Sequence, residues 1–242
     1  MRRGILGLLG ALALVLASGA QAAQTWVEGT HYARLTPVQR TTVPTGKVEV
    51  LEVFSYGCPH CRQFQPTIKK LKEVLPANVQ IAYLPASWNK AENWPLFQRA
   101  FLTAQALGIA DKAHAEMFEA VWKTGELGVT DNASGRLKSQ AELPTIEDAA
   151  RFYQRVTGVK AADFVAASKS FGVDLKIRQA DAQIKAMQVP STPTLVVNGK
   201  YRLNNDALRS NEEIIELVKF LVAKESAAPA KTPAPPAATT VK

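Results

Sequence analysis

Only two cysteines occur among the 242 residues, and two residues separate them, in the order Cys58-Pro59-His60-Cys61. Two thiols this close can exchange a disulfide with another protein, staple the chain, or contribute to a metal site. The three histidines, His31, His60 and His114, are scattered and do not complete a four-ligand zinc spacing with this pair. We therefore expect redox chemistry of the two sulfur atoms, with no metal.

The cysteines lie at a predicted junction between a strand and a helix. The apolar run 48–54 is typical of a strand buried on both faces, and apolar residues at helical spacing follow from Pro59 to about Val74. Pro59 suits the first helical turn, where no amide partner is needed. Because unpaired amide groups and the helix dipole stabilise negative charge there, we expect a lowered pKa for Cys58.

His60 sits beside the first sulfur in the sequence and is expected to lower the pKa of Cys58 further, by a hydrogen bond or a positive charge. A stabilised thiolate favours the reduced form and so makes the disulfide a stronger oxidant. His31 and His114 have no such neighbour, and we predict that both are surface histidines. The alternative for the pair is a passive staple, which would close only about four residues and contribute roughly 2 kcal/mol.

The two ends of the sequence are expected to lie outside the folded part. Arg2 and Arg3, the apolar stretch 5–16 and Ala20-Gln21-Ala22 match a signal peptide covering residues 1–22, so we expect export to the periplasm, where disulfides persist. Residues 225–242 are mostly Ala, Pro, Thr and Lys, a composition typical of a disordered tail.

The composition is that of a globular protein rather than a nucleic-acid-binding one. Apolar residues make up 47% of the chain, which is enough for a sizeable core. The formal net charge is +8, but the basic residues are scattered along helical stretches and are not grouped with aromatic residues. We therefore expect no nucleic-acid partner.

Strand patterns occur on both sides of a long helical block. A weak pattern near residues 32–38 and clear patterns at 48–54, 79–84, 194–197 and 200–203 predict strands, the last two joined by a hairpin at Asn198-Gly199. Helices are predicted over residues 59–74, 94–107, 111–122, 145–156, 161–171, 174–187 and 211–224.

Four sequence features together are highly specific: residues 54–61, Pro66 five residues on, residues 189–194, and residues 197–201. On these features the chain resembles the DsbA-type periplasmic thiol-disulfide oxidases of the thioredoxin superfamily, from about residue 32 to residue 224. The resemblance implies an α/β, thioredoxin-like fold with an inserted all-helical domain. Residues 23–86 and 188–224 would form the thioredoxin-like domain, and residues 87–187 the insertion.

The resemblance also implies several site residues. Pro193 would be a cis-proline lying against the cysteines, with Pro190 as a nearby rival, because sequence does not reveal the isomer. Thr192 would offer backbone groups to an extended substrate segment, and Ser191 and Tyr56 are expected to contact substrate as well. The alternative is a tight loop with no binding role.

Glu52 is the remaining candidate, because a carboxylate is costly in so apolar a strand. The resemblance implies that it accepts the proton of Cys61 when a mixed disulfide is resolved. A solvated position at a strand edge is the alternative. The following strand segment, residues 80–83, carries no basic residue that would neutralise the carboxylate.

These features lead to a functional hypothesis. The Cys58–Cys61 disulfide is expected to be donated to unfolded or reduced exported proteins. The resemblance implies that a quinone-linked membrane oxidoreductase of the DsbB kind reoxidises the pair, so that no bound cofactor is needed. We expect a monomer. The alternatives are a disulfide isomerase or reductase, and an exported chaperone-like binding module with a passive disulfide.

Overall fold

A mixed sheet flanked by helices forms the fold in the computed structural model, which describes residues 25–131 and 133–227. The predicted signal peptide and the tail from residue 228 onward lie outside the described residues. The strands are β1 (Tyr32–Arg34), β2 (Val48–Phe54), β3 (Val79–Pro85), β4 (Thr194–Val197) and β5 (Tyr201–Leu203). The helices are α1 (Pro59–Val74), α2 (Trp94–Ala106), α3 (Ala110–Trp122), α4 (Ile146–Thr157), α5 (Ala161–Ser168), α6 (Phe171–Ala186) and α7 (Asn211–Ala227).

The five strands are ordered β1-β5-β4-β2-β3, so β2 lies inside the sheet. It pairs in parallel with β3, through the crossover helix α1, and antiparallel with β4. All seven residues of β2 are buried, which confirms the prediction made from its apolar run. The predicted hairpin is also present: Asn198 and Gly199 both adopt positive φ, the backbone geometry of a type I′ turn, between β4 and β5.

Each face of the sheet packs against its own hydrophobic core. On one face, Val48 and Val50 pack with apolar residues of α1 and α7. On the other face, Leu51 and Val53 pack with apolar residues of α2, α3 and α4. Helices α2 to α6 all lie between β3 and β4 in the chain, so the helical block covers one face while the strands on either side complete a single sheet.

Three helix ends differ from the sequence prediction by three residues, and the other ends agree to within one residue. Helix α5 stops at Ser168, and α6 begins at Phe171 rather than at residue 174. The cause is Ser170, whose side chain accepts a hydrogen bond from the amide of Val173 and caps α6. Helix α7 continues to Ala227, so the prediction that the disordered tail begins at residue 225 was wrong for residues 225–227. The reason is that buried Glu225 forms an ion pair with Lys200 of the hairpin.

Within residues 25–131 and 133–227, no helix combines the length and the apolar character needed to cross a membrane.

Candidate active site

The two cysteines lie where β2 ends and α1 begins. Cys58 is the N-cap residue of α1, in extended backbone geometry, and Pro59 is the first helical residue, as predicted. The amide of Cys58 donates to the carbonyl of Ser55 at 3.1 Å, which closes the turn out of the strand. Both cysteines are free thiols, Cys58 3% exposed and Cys61 fully buried. Both cysteines are therefore buried, and Cys58 is the one that keeps a small contact with solvent.

The surroundings of Cys58 favour its thiolate. A hydrogen bond from the Cys61 thiol is the largest influence, and together with the Thr192 side chain and the backbone amides of Cys61 and His60 it lowers the pKa of Cys58 to about 5, against the opposing effect of burial. The Thr192 hydroxyl is buried and makes no hydrogen bond of ordinary geometry in the described part of the chain. Cys58 is therefore mostly ionised at neutral pH.

Cys61 has the opposite character. Burial raises the pKa of its thiol far above the ordinary value, and the hydrogen bond to Cys58 and the charge of Glu52 act in the same direction. The pair consequently holds a single negative charge, on the outer sulfur. This asymmetry assigns attack to Cys58 and leaves Cys61 as a protonated group that must lose its proton before it can react.

The loop before β4 closes over the outer sulfur. The Thr192–Pro193 peptide is cis, the isomer that the resemblance implies. The Thr192 carbonyl oxygen lies 3.5 Å from the sulfur of Cys58, across 134 residues of sequence. Asn205 holds the other side of the loop by donating its side-chain amide to the Pro193 carbonyl at 2.6 Å. Sequence reasoning missed Asn205, since nothing in its neighbours marks it. Ser191 is exposed at the start of the loop.

A groove opens beside the cysteines on the α1 and α7 side. Its volume is about 250 Å³, and its walls are mostly apolar, with amide side chains at intervals. The lining residues are His60, Gln63, Phe64, Pro193, Leu195, Asn205, Asn211 and Ile214. The groove therefore runs past the cis-proline loop, at a place where an extended chain would lie alongside Cys58.

His60 lines this groove rather than contacting the sulfur. Its side chain is exposed, and within the described residues it makes no hydrogen bond to Cys58. The backbone amide of His60 is one of the groups that lower the pKa of Cys58. The predicted contribution of an imidazolium charge stays a prediction.

Glu52 is fully buried, so the alternative of a solvated position at a strand edge is wrong. It faces Tyr83 of β3 on one side and Leu195 of β4 on the other. Neither carboxylate oxygen has a hydrogen-bond partner among the described residues. Burial raises the pKa of Glu52 to about 8; Lys72 opposes this effect and the Cys58 thiolate adds to it. A carboxyl group with such a pKa can both give and take a proton near neutral pH.

Tyr56 lies beneath the site and not on its surface. It is 1% exposed, and its hydroxyl group forms a 2.9 Å hydrogen bond with Nδ1 of His114. The position therefore differs from the substrate contact that was expected, because so buried a ring offers no surface to a bound segment. His114 is 6% exposed, so the prediction of a surface histidine was wrong. Burial lowers the pKa of His114 to about 3, so this ring is neutral.

Gly57 explains how the loop before the cysteines packs against the helical block. A Cβ atom at this position would lie 2.7 Å from Cδ1 of Trp94 and 2.9 Å from the carbonyl oxygen of Glu92. The adjacent carbonyl of Tyr56 accepts a 2.7 Å hydrogen bond from the indole of Trp122. The inserted helices thus hold the active-site turn from behind. The sequence alone gave no signal for either tryptophan.

Comparison with known proteins places this geometry in context. A family model described as Thioredoxin matches residues 43–218. The thiol:disulfide interchange protein DsbA of Pseudomonas syringae pv. tomato is 35% identical over 220 residues, covering 89% of this chain and 94% of that protein. The DsbA of Azotobacter vinelandii is 32% identical over 232 residues, covering 94% of this chain and all of that protein. Among solved structures, DsbA of Xylella fastidiosa is similar with a TM-score of 0.70 and 30% identity, over 84% of this chain and 98% of that one. The crystal structure of Pseudomonas aeruginosa DsbA is similar with a TM-score of 0.67 and 34% identity, over 84% of this chain and 95% of that one.

Proposed function

Because the chain belongs to the DsbA family of thiol:disulfide oxidoreductases, with a thioredoxin fold that carries a helical insertion, we propose that it donates its Cys58–Cys61 disulfide to newly exported proteins in the periplasm. The observation that carries the proposal is the contrast between the two thiols. Cys58 is a stabilised thiolate at the mouth of a groove, and Cys61 is a buried, protonated thiol.

The donation proceeds through a mixed disulfide. A substrate thiolate attacks the Cys58 sulfur, the bond to Cys61 breaks, and the Cys61 thiolate takes a proton from Glu52. A second substrate thiolate then attacks the substrate sulfur of the mixed disulfide and displaces Cys58 as a thiolate. Two substrate thiols are oxidised to one disulfide, and the protein is left as a dithiol. The low pKa of Cys58 supports this direction, since a stable thiolate is a good leaving group.

The second half of the catalytic cycle restores the Cys58–Cys61 disulfide. Cys58 attacks a disulfide of a quinone-linked membrane partner of the DsbB kind, and Cys61 then attacks the Cys58 sulfur. Cys61 must first lose its proton, and Glu52 accepts it. The support for this role is the burial of Glu52 beneath the thiols, together with a pKa of about 8, which keeps part of the carboxyl group ionised at neutral pH.

The bound substrate segment lies along the groove and against the cis-proline loop. The backbone amides of Ser191 and Thr192 are available for pairing with an extended chain, because these residues precede β4 and neither amide donates a hydrogen bond within the described residues. The mostly apolar walls of the groove suit varied unfolded substrates, since apolar contact imposes little sequence requirement.

Two measurements test the proposal. Equilibration with glutathione gives the reduction potential of the Cys58–Cys61 couple, and a value as low as that of cytosolic thioredoxin would exclude the oxidase assignment. The variant Cys58→Ser should lose oxidation of a reduced test protein. Cys61→Ser, treated with oxidised glutathione, should keep glutathione bound to Cys58 as a mixed disulfide, because no second thiol of the protein is present to displace it. If Cys58→Ser oxidised the test protein normally, the pair would be a passive staple.

A further inference from the structure

Lys72 is an exposed lysine of α1 that lies over an aromatic ring of the edge strand β3. It lies in the last turn of α1 and is exposed, and its ammonium group is 5.4 Å from the centroid of the Tyr83 ring. Lys72 forms no ion pair within residues 25–131 and 133–227. The neighbouring acid, Glu73, is paired with Lys70 at 3.6 Å. Lys72 therefore keeps its charge unneutralised while it lies over an aromatic ring.

That ring leads directly to the buried carboxyl group. Tyr83 is the β3 residue in register with Glu52 of β2, so the two side chains are adjacent on one face of the sheet. The ring of Tyr83 also lies against His114 of α3, with their centroids 4.0 Å apart. Lys72, Tyr83 and Glu52 thus form a continuous path from solvent to the active-site carboxyl group.

The other groups around Glu52 carry no positive charge. The cysteines at the start of α1 contribute a thiolate and a thiol, and the tyrosines of β3 and of the active-site loop are neutral, since burial raises the pKa of each. His114 is neutral because its pKa is about 3. Lys72 is the cation that acts on Glu52 among these groups.

We propose that Lys72 is a positioning residue for the redox reaction, supplying from α1, across the ring of Tyr83, the counter-charge that allows buried Glu52 to ionise. The proposal rests on the proposed role of Glu52 as the proton acceptor of Cys61. A cation on α1 is needed because the β3 residue in register with Glu52 is Tyr83, which carries no positive charge. The ring fills the space beside Glu52, and the charge acts through it from outside.

The effect of Lys72 on the ionisation of Glu52 should depend on salt concentration. The path between Lys72 and Glu52 passes through packed side chains of low polarity, in which a charge acts over a longer distance than it does in water. The ammonium group itself stays hydrated, so dissolved ions screen part of its field. Raising the ionic strength should therefore shift the ionisation of Glu52 in the same direction as removing Lys72.

The test follows the step in which Glu52 takes a proton. Reduced protein is treated with oxidised glutathione, and the mixed disulfide between Cys58 and glutathione is isolated at low pH. The pH is then raised, and the release of glutathione by Cys61 is timed at a series of pH values. The variants are Lys72→Met, Lys72→Arg and Glu52→Gln, with Lys70→Met as the matched control because it removes an exposed lysine from the same helix.

The expected results separate the two ideas. Glu52→Gln should remove the inflection caused by ionisation of the carboxyl group. Lys72→Met should shift that inflection upward by roughly one pH unit, the lower range for loss of a neighbouring opposite charge. Lys72→Arg and Lys70→Met should leave it in place. Adding Lys72→Met to the Glu52→Gln variant should have no further effect.

Other results would overturn one idea or the other. If Lys72→Met left the inflection in place while Glu52→Gln removed it, Lys72 would have no positioning role although Glu52 remained the proton acceptor. If Lys70→Met shifted the inflection as much as Lys72→Met does, the shift would come from the net charge of the protein and not from the position of Lys72, and the inference would be refuted. If Glu52→Gln kept the wild-type profile, the proposed role of Glu52 itself would fail.

Discussion

Replacing Glu52 by glutamine should stabilise the dithiol form of the protein at neutral pH. The ordinary pKa of the carboxyl group is 4.5, whereas burial raises it to about 8 in the folded state. The unfolded chain therefore releases this proton above pH 4.5, while the folded chain holds it up to pH 8. Below pH 4.5 the carboxyl group costs no stability, and the free energy of unfolding falls as the pH rises from 4.5 to about 8.

The size of the effect follows from the same two values. Each pH unit within the window costs about 1.4 kcal/mol, so the carboxyl group lowers the free energy of unfolding by about 3 kcal/mol at pH 7 and by about 5 kcal/mol above pH 8. Glutamine matches the protonated acid in size and cannot ionise. The variant Glu52→Gln should therefore match the parent protein near pH 4 and exceed its stability by about 3 kcal/mol at pH 7.

Urea-induced unfolding of the dithiol form at pH 4 and pH 7 measures this difference. Glu49→Gln is the matched control, because Glu49 is also a buried acid of β2 but accepts hydrogen bonds from the backbone amide and the hydroxyl of Thr42, each at 2.7 Å. Its replacement should lower stability, since a charged acceptor is lost. A gain from Glu52→Gln that was equal at both pH values, or absent at pH 7, would refute the assignment of Glu52 as a desolvated acid.

Three further predictions concern the remaining parts of the site. The ultraviolet absorbance of the Cys58 thiolate should titrate with a midpoint near pH 5, and a midpoint near 9 would contradict the hydrogen bonding described. The thiolate should stabilise the folded dithiol form fully above the ordinary pKa of 9.0, and this stabilisation should be lost as the pH falls through 5. Gly57→Ala should lower stability in thermal unfolding by about 1–3 kcal/mol, because the new methyl group meets an indole ring, whereas Gly172→Ala, with 3.9 Å of clearance, should not destabilise the fold. Tyr56→Phe should cost about 1–3 kcal/mol in urea unfolding by leaving Nδ1 of His114 unpaired, and an unchanged midpoint of unfolding would show that the bond contributes nothing.

Local patterns were sufficient for much of the fold. The apolar run of β2 predicted a strand buried on both faces, and Asn198-Gly199 predicted the hairpin, because each signal depends on a few adjacent residues. The break between α5 and α6 was predicted, but at residues 172–173 instead of residues 169–170, because only the cap at Ser170 fixes where α6 begins.

The sequence by itself therefore determined the redox pair, its position at the start of a helix and the protein family, since all three depend on residue types at short spacing. The tertiary structure alone decided what surrounds the pair. Thr192 reaches Cys58 across 134 residues, and Glu52 loses its solvent because helices cover both faces of the sheet at β2. His114 is buried against Tyr56 by packing of the inserted helices. Burial and charge at each of these positions come from groups distant in the chain, and these groups set the acidity of the two thiols.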